Sequence, residues 1–196
     1  PVDRWTLGAG GEVYIAPERD AYLIEVRDCA GNLKRRFGRQ AVVSDRTDDQ
    51  MAAAKRRYTF SSSDGSLPEI EYRMARREMP ILRLSWHEVE LWVERPLLAR
   101  DAGGGVASRF DVYDPAGHLR EERTYVLPLD PDEDMLVFLD AARAVRVKEL
   151  AAAQRVSDAG LQVQRGEEIE TADGTGAEPL EVILYHAAPR PPAGPQ

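Results

Sequence analysis

The chain has 196 residues, of which 43% are apolar and 31% charged, an ordinary balance for a globular protein of one or two domains. Its formal net charge of -8 and pI of about 5.0 exclude the clustered cationic excess that a nucleic-acid phosphate footprint needs. One cysteine, Cys29, excludes an intrachain disulfide, and no apolar run approaches the roughly 20 residues that span a bilayer.

The chain starts at Pro1 without Met and already inside a strand-like pattern, and no signal peptide is visible. The expectation is a processed product or a piece of a longer chain. Gly8-Ala9-Gly10-Gly11 is a turn signal, followed by alternating apolar residues over Glu12–Ala16. Pro17-Glu18-Arg19-Asp20 reads as a polar loop, Tyr22–Arg27 alternates again, and Leu33–Phe37 is the returning strand. Residues 5–38 therefore predict a small antiparallel meander. Thr47-Asp48-Asp49-Gln50, with Lys55-Arg56-Arg57 further on, sets acids at the start and bases at the end of a short amphipathic helix over 47–58. It sits in an insertion, 45–60, and Ser61–Ser66 is loop.

Strand signals resume at Ile70, Tyr72 and Met74, then at Ile81–Leu84 and Val89–Val93 around a turn near His87. After the loop Arg100–Gly105 comes DVYDPAGHLREER, Asp111–Arg123, which repeats EVRDCAGNLKRRF, Glu25–Phe37. Both copies hold an Asp-x-Ala-Gly-x-Leu core after an alternating apolar run, and such self-similarity marks repeated supersecondary units. Asp28 and Asp114 are expected to accept hydrogen bonds from turn amides. Leu91-Trp92-Val93 is the counterpart of Val13-Tyr14-Ile15, and Tyr14, Trp86 and Trp92 are expected in the core. A third unit is predicted from strands at Met135–Leu139, Ala144–Val147 and Leu180–Tyr185, with a helix over Glu149–Val156. The Pro-rich tail 187–196 is expected to be disordered.

Little catalytic chemistry is legible. His87, His118 and His186 have no metal-ligand spacing. Asp130-Pro131-Asp132-Glu133-Asp134 starts like a calcium loop, but Met135 stands where Gly is needed and Ala141 where a bidentate Glu belongs, so an exposed acidic loop is expected. Gly103-Gly104-Gly105 lacks the Lys-Ser/Thr of a phosphate loop, and Ser61–Ser63 lacks a nucleophile elbow. No catalytic residue, metal ligand or cofactor is predicted. The best candidate binding residues are Glu18, Arg19 and Asp20, in the loop after the strand Glu12–Ala16.

Val13-Tyr14-Ile15 with Ile24–Asp28, Gly31, Leu33 and Phe37-Gly38 resembles an NHL-like blade, and Leu91–Val93 with Phe110–Asp114, Gly117 and Leu119 resembles the next. Together with Tyr14-Ile15-Ala16-Pro17-Glu18-Arg19-Asp20 and the closing Glu181–Tyr185, the chain is similar to the C-terminal half of bacterial six-bladed β-propellers with NHL-like or TolB-like blades. The resemblance implies an all-β arc of about three antiparallel four-stranded blades with short helical insertions, the blades falling near 5–44, 70–126 and 133–186. It also implies a periplasmic or extracellular scaffold that binds a protein, peptide or glycan on one face without catalysis, and the loop of Glu18, Arg19 and Asp20 lines one face if the chain is a propeller. The alternatives are a metal-dependent propeller hydrolase or lyase with most ligands on other blades, or a two-layer β domain without a ring. An open arc leaves sheet edges that need further blades or a second chain.

Overall fold

The computed structural model describes residues 3–41, 43–48, 51–52, 74–97, 105–130, 133–140, 142–154 and 180–186. Among them the chain is all-β, with three antiparallel sheets of four, four and three strands and almost no helix. Among the described residues no helix is long and apolar enough to cross a membrane. Two compact units divide the chain, Pro1–Tyr125 and Val126–Gln196.

In the first unit, β1 (Trp5–Leu7), β2 (Val13–Ile15), β3 (Leu23–Arg27) and β4 (Leu33–Gly38) pair in chain order. The same meander recurs in β5 (Arg83–His87), β6 (Glu90–Arg95), β7 (Val106–Tyr113) and β8 (Leu119–Val126). The repeat in the sequence is a repeat of this sheet. Tyr14 pairs with Val26 and Trp92 with Val112, so the two aromatics occupy equivalent places. The turn before each fourth strand is built alike. Asp28 Oδ1 accepts from the Ala30 and Asn32 amides, and the Gly31 amide donates to the Asp28 carbonyl. Asp114 Oδ1 accepts from the His118 amide, and the Gly117 amide donates to the Asp114 carbonyl. Each turn needs a left-handed residue, which Gly31 (φ 85°) and Gly117 (φ 89°) supply without a Cβ penalty. The turn expected near His87 lies one residue on, at Glu88 and Val89, after β5 has ended.

The two sheets stack. The front of the first offers Tyr14, Ile24 and Val26 to Leu84, Leu91, Val93 and Tyr113 on the back of the second, with Phe37 packed alongside. Ile24, Val26, Leu91 and Val93 are fully buried, each contributing roughly 1.5–3 kcal/mol by area. The Phe37 and Tyr113 rings lie 5.1 Å apart. At the shared margin the Leu84 amide donates to the Asp3 carbonyl at 2.8 Å. Sheet registers make Trp5 the equivalent of Leu84, Leu7 of Trp86, Val13 of Leu91 and Ile15 of Val93. The equivalents differ in burial: Leu84 is covered by the first sheet, while Trp5 and Leu7 on the first sheet's own back are 51% and 56% exposed.

The two ends of these sheets differ. Tight turns close β1–β2, β3–β4, β5–β6 and β7–β8 at one end. At the other lie the β2–β3 loop, the β4–β5 insertion and the β6–β7 loop. The insertion has a ribbon stem: the Arg46 amide donates to the Arg76 carbonyl at 2.8 Å, the Glu78 amide to the Ser44 carbonyl at 3.1 Å, and Asp45 bridges Arg77. Its predicted helix is seen at residues 48 and 51–52, begun by the Met51 amide bonding to the Thr47 carbonyl. The rest of 47–58, Ser61–Ser66, and the strand signal at Ile70 and Tyr72 lie outside the described residues.

In the second unit β9 (Met135–Phe138), β10 (Arg143–Val147) and β11 (Val182–His186) form a meander, with helix over 150–154. A four-stranded third unit was expected, but this sheet has three strands among the described residues. Val145 pairs with both Val137 and Leu184, and Val147 with both Met135 and Val182, so these six aliphatics share one face. The tail 187–196 lies outside the described residues.

Two glycine substitutions separate turn geometry from packing. Around Gly31 a Cβ would meet nothing within 4 Å, whereas at Gly117 it would lie 2.7 Å from Phe37 Cδ1. Gly31→Ala is expected to cost about 1 kcal/mol, from left-handed backbone strain alone. Gly117→Ala is expected to cost at least about 2 kcal/mol, because Phe37 must also move. Urea unfolding of both variants checks the order; equal losses would show that Phe37 yields freely.

Candidate functional site

The end of the first unit that carries the long connections also carries a set of polar contacts that joins its two sheets. Beneath it lies Asp111, in the middle of β7 and fully buried. Its place in the repeat is that of Glu25 on β3, as Val112 matches Val26. Both carboxylates sit on the back of their sheet. Glu25 is met by Arg27 and Arg36 of its own sheet, at 2.6 and 2.7 Å. Asp111 draws its partners from both sheets, because the first sheet covers the second sheet's back. Tyr22 Oη, at the start of β3, donates to Asp111 Oδ2 at 2.5 Å. Arg95, at the end of β6, donates to Oδ1 at 3.1 Å. Arg39, just past β4, approaches Oδ1 at 3.5 Å and pairs with Glu122 at 2.7 Å. Tyr113 Oη donates to Tyr22 Oη at 3.3 Å.

The electrostatics fit these partners. Burial, then the Asp111 carboxylate, drives the Tyr22 phenol far above its ordinary 10.0, so it remains a donor. Burial likewise raises Tyr113. Burial opposes the Arg39 cation, but the Glu122 hydrogen bond and Asp111 outweigh it and raise its pKa. The hydrogen bond from Arg39 holds Glu122 below its ordinary 4.5. The Asp111 carboxylate is thus surrounded by hydrogen-bond donors and guanidinium groups from both sheets.

Above the hub stands the loop 16–22, with the predicted Glu18, Arg19 and Asp20. It joins β2 to β3, and its backbone is pinned at several points. The Ala16 amide donates to the Arg4 carbonyl at 2.9 Å, and the buried Arg4 side chain donates to the Glu18 carbonyl. Arg19 donates to the Asp20 carboxylate and, at 2.7 Å, to the Arg77 carbonyl on the insertion stem. The three residues are thus brought together as one braced loop, with Glu18 and Asp20 exposed and Arg19 used as a strut. The stem adds charge pairs beside it, Arg46 with Glu78 at 2.7 Å and Arg76 with Asp48 at 2.6 Å. Neither the hub nor the stem was singled out from sequence. The available signal was a carboxylate inside an apolar strand run, at the same place in both repeats.

The remaining candidates resolve into structure. His87 packs against Trp92 with tilted rings 4.4 Å apart, His118 caps the Asp114 turn, and His186 ends β11, so the histidines are dispersed. Tyr14 and Trp92 are buried, as expected of core, and Trp86 packs against the same cluster. Cys29 is an exposed turn residue. The acidic run 130–134 was expected to be an exposed loop, and Asp134 departs from this. Its side chain is buried, accepts from the Asp130 and Glu149 amides, and pairs with Arg146 at 2.6 Å. It lines a cleft of about 430 Å³ with Asp130, Glu133, Lys148 and Glu149, where Lys148 reaches Glu181 at 2.6 Å. Residues 131 and 132 lie outside the described residues. Among the described residues no group of three or more His, Cys, Asp or Glu is placed to hold a metal ion.

Removing the Asp111 carboxylate leaves Arg95 and Arg39 facing a gap between sheets. Asp111→Ala is expected to destabilise the first unit by about 3–5 kcal/mol, and Tyr22→Phe, which removes one donor, by about 1 kcal/mol. A double-mutant cycle by urea unfolding checks the coupling; additive losses would mean that the two groups act separately. A pH series tests the ion pairs. Glu122 and the turn aspartates Asp28 and Asp114 are all held below their ordinary values of 4.5, 3.8 and 3.8. Asn32 is the chief cause for Asp28, and the His118 amide for Asp114. Depressed carboxylates contribute stability that is present above their unfolded pKa and lost as pH falls through the folded one. The urea midpoint is expected to fall below about pH 4, with a shallower fall in Glu122→Gln.

Neither a protein-family model, nor a curated protein, nor a solved structure matches this chain.

Proposed function

We propose that the chain is a non-catalytic binding scaffold, an arc of β-propeller blades acting outside the cytoplasm, which holds a protein, peptide or glycan at its long-loop end. The repeated four-stranded meanders, stacked front to back, support the propeller reading. The observation that carries the binding reading is the braced β2–β3 loop. Arg4 and Arg19 fix its backbone, while Glu18 and Asp20 stay on the surface. A loop held this way loses little conformational freedom when a ligand engages it, which favours recognition. The flanking carboxylates suit a partner that offers ammonium, guanidinium or hydroxyl donors.

The test is a screen of the full chain against peptide and glycan arrays, followed by titration of whatever binds. Glu18→Ala and Arg19→Ala are each expected to weaken binding about tenfold or more, near 1.4 kcal/mol. Cys29→Ala, in a tight turn at the opposite end, is expected to leave affinity unchanged. A ligand whose affinity ignores Glu18 and Arg19 but responds at the tight-turn end would overturn the assignment of the face.

A further inference from the structure

We infer that the chain associates with a second copy of itself by laying the aliphatic face of β9–β11 in one copy over the open back of β1–β4 in the other. This goes beyond the loop-end reading and does not depend on it. The first argument is continuity of an interface the fold already contains. Within the first unit, the front of one sheet covers the back of the next, burying Leu84, Leu91 and Val93. Over β1 and β2 the first sheet's back carries the equivalent apolar set, where Trp5 and Leu7 are exposed, and beside it on β3 and β4 the Glu25 carboxylate is neutralised by Arg27 and Arg36. What fits it is one more sheet of the same kind, presenting an aliphatic face.

The second argument is that the chain displays such a face. Val182 and Leu184 on β11 are 63% and 50% exposed, and they share the face with Met135 and Val137 on β9. The opposite face of this sheet is also largely apolar, with Leu136, Phe138 and Ile183. Strands apolar on both sides belong to sheets covered on both sides, whereas a half-exposed sheet alternates apolar with polar. Among the described residues, an exposed aliphatic face on one sheet and exposed apolar residues on the back of another form two unlike halves of one contact. Contacts of that kind are heterologous: they join copies head to tail, and close only if the rotation allows.

The unlike halves give a decisive test. Light scattering and sedimentation of the full chain over a concentration series are expected to show a mass of two or more copies. Leu7→Glu disables the back and Val182→Glu the aliphatic face, and each variant alone is expected to be monomeric, with its far-UV circular dichroism unchanged. Mixed together they retain one intact half each and are expected to form a one-to-one complex that goes no further. A wild-type chain that stays monomeric throughout the series would overturn the inference. So would a mixture that stays monomeric, or variants that self-associate as the wild type does. If either variant fails to fold, Trp5→Lys and Leu184→Lys replace it on the same two faces, and the same mixing result decides.

Discussion

The first unit depends on a carboxylate that water does not reach. Asp111 is fully buried between two sheets, and every partner that stabilises its charge enters from a different strand or margin. Taking a carboxylate out of water is costly, and a buried ion pair often adds little net stability over apolar packing of the same shape. What it adds here is position. Leu, Ile and Val side chains would accept several offsets between two stacked sheets. A phenol hydroxyl and two guanidinium groups converging on one carboxylate accept very few. Tyr22 and Arg39 lie at the long-loop end of the first sheet, and Arg95 at the same end of the second. The lock therefore sits where the connections diverge, and where alignment of the loops matters most.

The same position in the repeat shows how tertiary context changes a residue's work. Glu25 and Asp111 both sit on the back of their sheet, one place before the central Val. Glu25 is satisfied by two arginines of its own sheet, Arg27 and Arg36. The first sheet covers Asp111, and its neighbours at the places of Arg27 and Arg36 are Tyr113 and Glu122. Glu122 cannot satisfy a carboxylate, so cationic help comes from Arg95 and, across the interface, from Arg39. The second copy of the repeat has thus given up local pairing for pairing that requires its neighbour.

That exchange also explains which parts of the fold were legible in the sequence. Alternation located eight of the described strands to within a few residues, and the repeated Asp-x-Ala-Gly cores located β7, β8 and two turns, because strand period and left-handed glycines are local constraints. The loop 17–20 was equally visible. Its bracing was not: Arg4 and the Arg77 carbonyl reach it from distant segments, and no local pattern encodes that meeting. The hub was hidden for the same reason, since Tyr22 and Asp111 belong to different repeats. In the acidic run 130–134, composition suggested a solvated loop. The inward turn of Asp134 depends on Arg146, which arrives only when β10 pairs with β9.

The division between the two ends follows from these constraints. At the tight-turn end the β3–β4 and β7–β8 connections are each closed by their own backbone and an aspartate, so sequence in these two turns is constrained by turn geometry. The long-loop end is freed from that demand. Its connections can lengthen, as the β4–β5 insertion does, provided something anchors them to the sheets. Arg4 and Arg19 are such anchors for the β2–β3 loop, and the ribbon stem is the anchor for the insertion. An anchored but variable end above a registered pair of sheets is where specificity can change without disturbing the core. The proposed recognition at Glu18–Asp20 rests on this anchoring, by Arg4 from β1's margin and by Arg19 to the insertion stem.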